Sequence, residues 1–136
     1  MVEMQVKVLK KVDNTEHVKR DIFIAAEKAV KNACDAIKEE AQRLIAVDEG
    51  YGRDHIEVGI HKVVANFPYA SFLEHGTSPH WPPIDALKGW AERHGFEKPF
   101  LVAQSIAENG TPAQPFFKPA CDVAKDVKLW ARGITL

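Results

Sequence analysis

Two spacings of apolar residues alternate along the chain, one typical of strands and one typical of helices. Residues 3–10 alternate between polar and apolar side chains, which predicts a strand. Its apolar face is formed by Met4, Val6 and Val8. Residues 16–48 then place apolar side chains three and four positions apart, which predicts a long helix. Gly50 follows as its expected stop, because glycine readily takes the left-handed conformation found after helix ends.

Alanine dominates the apolar stripe of this predicted helix, so that another element can approach it closely. The stripe consists of Ile22, Ala26, Ala29, Ala33, Ile37, Ala41 and Leu44. Residues 55–65 return to the strand spacing. After Pro68, which cannot donate to a strand ladder, residues 69–75 are expected to form a second strand paired with the first.

Proline and glycine mark the boundaries of the remaining elements. Residues 76–83 are predicted to form a loop, followed by one helix that opens at Pro83 and a second that opens at Pro99. Proline loses no hydrogen bond in a first helical turn, and the glycines 95 and 110 are natural helix stops. Residues 111–117 form a further loop, and a last helix is expected to start near Pro119.

These elements predict one α+β domain over residues 1–136, with a long N-terminal helix and shorter helices packed on a small antiparallel sheet. A chain of 136 residues fits a single domain and is expected to bury roughly two-thirds of its unfolded surface. Hydrophobic residues at 46% and charged residues at 27% are ordinary for a globular protein. Composition therefore does not point to any other class of protein.

Charge and composition narrow the possible partners. The formal net charge is −1, from 18 basic and 19 acidic residues, which gives no electrostatic signature of nucleic-acid or anionic-membrane binding. No apolar run resembles a signal peptide or a membrane span, so we expect a cytoplasmic protein. Cys34 and Cys121 lack zinc-site spacing and are expected to be buried or half-buried thiols.

Catalytic chemistry has little support in the sequence. Glu74, His75 and His80 are the nearest approach to a metal site, but the spacing matches no helical ligand pair and prolines interrupt the segment. We therefore expect no catalytic residue, no metal and no cofactor. Two alternatives stay open: a small metal-dependent hydrolase or nuclease that uses these three residues, and a nucleic-acid-binding module.

Three aromatic residues give more specific expectations. Trp81 lies in a proline-rich loop and either forms part of an interface, where tryptophan is enriched, or packs on the protein's own helix. Phe116 and Phe117 are adjacent in a segment that its prolines hold extended, so their side chains are expected to point to opposite sides. We assign Phe116 to the core and Phe117 to an outward, partly covered position.

Two motifs carry a resemblance to a known family. The first contains an aromatic-Glu-x-Gly-Thr pattern, and its matching residues are Tyr69, Ala70, Phe72, Leu73, Glu74, Gly76 and Thr77. The second begins at Gly110, and its matching residues are Thr111, Pro112, Ala113, Pro115, Phe116, Pro119 and Ala120. With a proline-rich loop and a helix between them, they resemble tail-component proteins of long-tailed bacteriophages and prophages. The segment Glu49-Gly50-Tyr51-Gly52-Arg53-Asp54 departs from the family pattern.

This resemblance implies a structural protein of virion assembly, a neck or tail-completion component at the head–tail junction. It implies self-association into a six-fold ring, with a connector or head-closure protein and a tail-terminator or tail-tube protein as neighbours. It implies no membrane and no specific nucleic acid as partners. The protein would be in the host cytoplasm during assembly and in the virion afterwards. The interface and motif residues are then Tyr69, Phe72, Glu74, Gly76, Thr77, Trp81, Pro112, Pro115, Phe116, Phe117 and Pro119.

Overall fold

The computed structural model describes residues 14–134, and the strand predicted over residues 3–10 lies outside them. This part of the chain contains a long helix, six shorter α-helices and a two-stranded sheet. The helices are α1 (Thr15–Leu44), α2 (Tyr51–Asp54), α3 (Ala70–His75), α4 (Ile84–Arg93), α5 (Pro99–Asn109), α6 (Phe117–Cys121) and α7 (Val127–Trp130). The strands are β1 (Ile56–Gly59) and β2 (Lys62–Ala65). The predicted α+β class is confirmed.

The sheet is a hairpin formed within the segment that was predicted to be a single strand. β1 and β2 pair antiparallel, with Ile56 opposite Ala65 and Gly59 opposite Lys62. The prediction of one strand over residues 55–65 is wrong because the chain reverses at His61, whose φ is 55°. Histidine is among the residues that enter the left-handed region more often than most, and no Asn-Gly pair marks the turn.

Helix α1 is four residues shorter at its C-terminal end than predicted. It ends at Leu44, and Ile45 leaves in an extended conformation. Gly50 has a φ of 89° and precedes α2, so it opens the next helix rather than stopping α1. The apolar stripe of α1 is covered only in its second half, where Ala33 and Ala41 are buried, whereas Ile22 is 58% exposed.

The main core lies where the second half of α1 meets the sheet and α6. Its buried members are Ala41, Ile45, Ile56, Phe67, Phe116 and Ala120. Half-buried side chains from the hairpin, α3 and α6 pack against this cluster. Alanine on α1 and α6 permits the close approach that the sequence indicated.

The segment 69–75 is helical, so the second predicted strand is wrong. Ala70 to His75 form α3, and Tyr69 stands at its N-terminal boundary. Tyr69, Ser71 and Leu73 stand at every second position, which suggested a strand. Ala70 and Leu73 instead stand three positions apart and both pack on the core, as they do on one face of a helix. A backbone hydrogen bond from the Leu73 N–H to the Tyr69 carbonyl, 3.0 Å, closes the turn.

Helices α4 and α5 form a pair whose boundaries follow the proline and glycine signals. α4 begins directly after Pro83, and Gly95 follows its end with a φ of 75°. α5 has Pro99 as its first residue, and Gly110 follows its last residue. The apolar face predicted for α4 is confirmed, because Ala91 is buried and Ile84, Leu87 and Trp90 are half-buried.

The C-terminal helix starts earlier than predicted and is interrupted. α6 begins at Phe117, not near Pro119, and a 3₁₀ segment (Asp122–Lys125) follows it. The chain turns at Asp126, whose side chain accepts a hydrogen bond from the Lys128 N–H and so caps α7. Across residues 14–134, the helices are each too short or too polar to cross a membrane.

Candidate functional site

The two sequence motifs meet in a single junction, which we call the clasp. Thr77 and Thr111 form an antiparallel bridge, with backbone hydrogen bonds of 3.0 and 3.2 Å in the two directions. The two threonine hydroxyls lie 2.9 Å apart, and the Thr77 hydroxyl also accepts from the Thr111 N–H at 3.0 Å. The clasp continues where the Gln114 N–H donates to the Leu73 carbonyl at 2.8 Å.

A glycine precedes each threonine of the clasp, and neither position has room for a side chain. Gly76 and Gly110 have φ of 73° and 71° with ψ near 180°, a region that is essentially restricted to glycine. A Cβ on Gly76 would lie 2.5 Å from the Thr111 carbonyl oxygen. A Cβ on Gly110 would overlap the Thr77 carbonyl oxygen even more closely. The Gly-Thr pair in each motif is therefore explained by the close crossing of two backbones.

Glu74 supplies the third part of the clasp by capping α6 from a distance in sequence. Its Oε2 accepts from the N–H groups of Phe116, 2.8 Å, and Phe117, 2.9 Å. Its Oε1 accepts from the Lys118 N–H at 2.9 Å. These N–H groups have no partner within the helix, since the first donors of any helix lack one. The glutamate of the first motif thus fixes the start of the helix in the second motif.

The pKa of Glu74 reflects two opposing effects. Partial burial favours the neutral acid, but the three backbone N–H donors and the nearby His75 favour the carboxylate. The donors prevail, so the pKa of Glu74 lies below its ordinary value. The residue is therefore ionised near neutral pH and acts as an acceptor of hydrogen bonds.

Phe116 is buried as predicted, but the outward position predicted for Phe117 is wrong, because α6 begins at Phe117 and turns this side chain onto the same core cluster. Phe116 is 1% exposed, and its ring centroid lies 6.0 Å from that of Phe67. Phe117 is half-buried, packs on the core cluster and meets Phe116 edge to face at 6.1 Å. Because Phe116 follows directly on the clasp, the Glu74 hydrogen bonds hold it in the core.

The other motif residues lie around the clasp and are mostly exposed. Pro112 and Pro115 are exposed on either side of Gln114, and Pro119 is half-buried within α6. Tyr69 is 43% exposed and stacks obliquely on Phe67, whereas Phe72 is 61% exposed.

Trp81 lies on a separate surface, which we call the aromatic patch, formed by Trp81, Phe100 and Leu101. These side chains are 53%, 53% and 56% exposed. The Trp81 and Phe100 rings meet edge to face, with centroids 5.6 Å apart. Trp81 thus contacts its own α5 and still presents about half of its surface to solvent. A place for Trp81 in an interface stays a prediction.

The residues of the possible metal site have other partners. Both carboxylate oxygens of Glu74 accept backbone hydrogen bonds, and His75 is the last residue of α3. The Nδ1 of His80 lies 2.9 Å from the Ser78 carbonyl oxygen. Within the described chain, no three His, Cys, Asp or Glu side chains cluster closely enough to hold a metal ion.

The two thiols differ in their exposure. Cys34 is buried in α1, as expected, but Cys121 is exposed at the end of α6, so the expectation for it is wrong. Burial of the Cys34 thiol and partial desolvation of the Cys121 thiol, followed in each case by nearby carboxylates, raise the pKa of both. Neither thiol therefore has the lowered pKa of an activated nucleophile.

A further long-range contact, outside the clasp, was also not predicted from the sequence. Arg93, at the end of α4, forms a two-pronged ion pair with Asp48, in which Nε donates to Oδ1 at 2.9 Å. Its Nη1 lies 3.1 Å from the Glu49 carboxylate. Nothing in the local sequence signals an ion pair between residues 45 positions apart.

Sequence and structure comparisons add no relative. No family model, curated protein or solved structure matches the chain.

Proposed function

We propose that the protein is a structural component of a tailed phage or prophage, a neck or tail-completion protein at the head–tail junction. The proposal begins from the two motifs that resemble this family. It is supported by the way their shared residues are used. Glu74, Gly76 and Thr77 hold backbone in place, and the second motif supplies the backbone that they hold. Such residues shape a surface and carry out no reaction.

The observation that carries the proposal is the large amount of apolar surface left uncovered around a small core. Among residues 14–134, ten hydrophobic residues are buried, whereas sixteen large hydrophobic residues are exposed. Exposed apolar side chains that lie together mark surfaces that other proteins cover. A protein that functions as part of an assembly has this distribution.

Two regions hold seven of these sixteen exposed residues and can serve different neighbours. The first half of α1 exposes Val18, Ile22, Phe23 and Ile24, each by more than half. The aromatic patch forms the second region. Two unlike surfaces on one subunit suit head-to-tail contacts, which close into a ring when the rotation between subunits allows. A six-fold ring, with connector and tail-tube proteins above and below it, is the assembly we propose.

Gene deletion in the phage or prophage that encodes the protein tests the proposal. We expect electron microscopy of the lysate to show filled heads and separate, unjoined tails. A plasmid copy should restore joined particles. Genes for portal, capsid and tail-tube proteins close to this one would be expected as well. Normal particles from the deletion strain would refute the proposed role.

A further inference from the structure

The α4–α5 pair has its own packing and takes no part in the main core of the described chain. Its fully buried residues are Ala91 and Ala103, one on each helix. The core cluster and the half-buried residues packed on it include no residue of α4 or α5. The position of this helix pair relative to the core is therefore set by its connections, since shared hydrophobic packing does not set it.

Both chain connections of the helix pair pass through the clasp. The chain enters α4 after Thr77 and leaves α5 before Thr111, and these two residues are bridged. Two connections that meet at one bridged pair form a narrow attachment. Narrow attachments of a few residues are where hinge motions occur in proteins.

A second attachment lies at the other end of α4. Arg93 is the last residue of this ten-residue helix, which places it about 15 Å along the helix from its start. Its guanidinium pairs with Asp48 at 2.9 Å and with Glu49 at 3.1 Å, and His94 Nδ1 lies 3.9 Å from Asp48. We call the contact of Arg93 with Asp48 and Glu49 the latch. The latch therefore attaches the helix pair to residues outside the clasp.

The latch is open to solvent and can be broken without unfolding the core. The side chains of Arg93 and Asp48 are 41% and 31% exposed. Salt screens ion pairs that solvent reaches, and single substitutions remove them. The helix pair carries the aromatic patch, since Trp81 packs on Phe100 and the His80 N–H donates to the Ile106 carbonyl at 3.4 Å.

We propose that the α4–α5 pair is a hinged unit that pivots at the clasp and is held in the observed position by the latch. Opening the latch turns the aromatic patch relative to α1 and the sheet. This proposal does not depend on a role in phage assembly, because it concerns one chain in dilute solution.

Distance measurement between two spin labels tests the hinge. One label is attached to the exposed Cys121 of α6, and the other to the exposed position 105 of α5 through Ser105→Cys. The buried Cys34 is replaced by alanine in all variants. We expect one narrow distance distribution at low salt. Arg93→Ala should broaden it and add a second population.

High salt separates the latch from other effects of substitution. It should broaden the distribution of the parent protein but change that of Arg93→Ala little, because the latch is already absent there. Lys88→Ala is the matched control, since it removes an exposed ion pair with Asp85 within α4. It should leave the narrow distribution unchanged. Circular dichroism checks that the helices persist in each variant.

Two results would overturn the proposal. One is an equally narrow distribution in the parent protein and in Arg93→Ala, which would mean that the clasp alone fixes the helix pair. The other is a broad distribution in the parent at low salt, which would mean that the latch does not hold. If Arg93→Ala loses its helices, the parent protein is measured at increasing salt instead. A label-to-label distance distribution that stays unchanged at high salt then refutes the latch.

Discussion

Glu74 joins two segments that lie 42 residues apart, because its carboxylate accepts three backbone hydrogen bonds at the start of α6. A glutamine in its place offers one acceptor oxygen, and its amide group would face N–H donors. We expect Glu74→Gln to lower the free energy of unfolding by about 1–2 kcal/mol, the upper range for loss of a helix cap. Glu97→Gln, at an exposed position, is the control. Chemical denaturation that ranks the two variants equally would contradict the capping role.

The pH dependence of this contribution has a defined sign. The pKa of Glu74 is lowered in the folded protein, so its stabilising effect is present above the unfolded value of about 4.3. The effect is lost as the pH falls through the folded pKa. We expect the stability difference between the wild type and Glu74→Gln to be constant near neutral pH and to shrink below about pH 4. Denaturation at a series of pH values measures it, and a difference that grows on acidification would contradict this sign.

The adjacent phenylalanines should differ in their contribution to stability. Phe116 is 1% exposed in the core, so Phe116→Ala should cost about 3–5 kcal/mol of unfolding free energy. Phe117 is only half-buried, and Phe117→Ala should cost about 1–2 kcal/mol. Urea denaturation of both variants compares them. A larger loss of unfolding free energy for Phe117→Ala would mean that Phe117, and not Phe116, fills the core, with the start of α6 shifted by one residue.

At the scale of elements, the sequence predicts the helices whose boundaries are marked by residues at the boundary itself. The boundaries of α4 and α5 follow from Pro83, Pro99 and the glycines that end each helix. The hairpin was missed because its turn at His61 has no strong turn residue, and α3 was missed because a short apolar segment fits both spacings. Long-range contacts such as the Glu74 cap and the latch have no local signal. The two sequence motifs contain the residues of the clasp but do not indicate how they pair.

The clasp depends on glycine at both of its crossing points. We expect Gly76→Ala and Gly110→Ala each to cost about 3 kcal/mol or more, because a disfavoured φ adds to a clash with backbone oxygen. Gly95→Ala is a matched control. Gly95 also has a positive φ, 75°, but nothing lies within 4 Å of its Cβ position, so about 1–2 kcal/mol is expected. Thermal denaturation compares the three, and similar losses would show that close backbone approach is unimportant.

At the scale of the whole molecule, core and surface contribute to different properties. The core is small and depends on alanine contacts along α1, with Phe116 and Ile56 as the largest fully buried side chains of the described residues. We expect the exposed aromatic residues outside it, such as Trp81 and Phe100, to add less to the stability of one chain than these core residues do. In the proposed assembly their surface would be covered by neighbours, so folding and assembly can be separated by substitution.

Substitution of Trp81 should separate folding from assembly most clearly. It is 53% exposed and contacts Phe100 edge to face, so Trp81→Ala should leave the melting temperature nearly unchanged. The same substitution should abolish self-association, because exposed tryptophans at interfaces contribute disproportionately to binding. Sedimentation velocity over a range of concentrations measures association, and a particle-joining assay measures function. Phe116→Ala is the contrasting variant, which should lose stability first. If Trp81→Ala lowers the free energy of unfolding by about 3 kcal/mol or more, Trp81 belongs to the core. If the variant self-associates normally, Trp81 is not part of the interface.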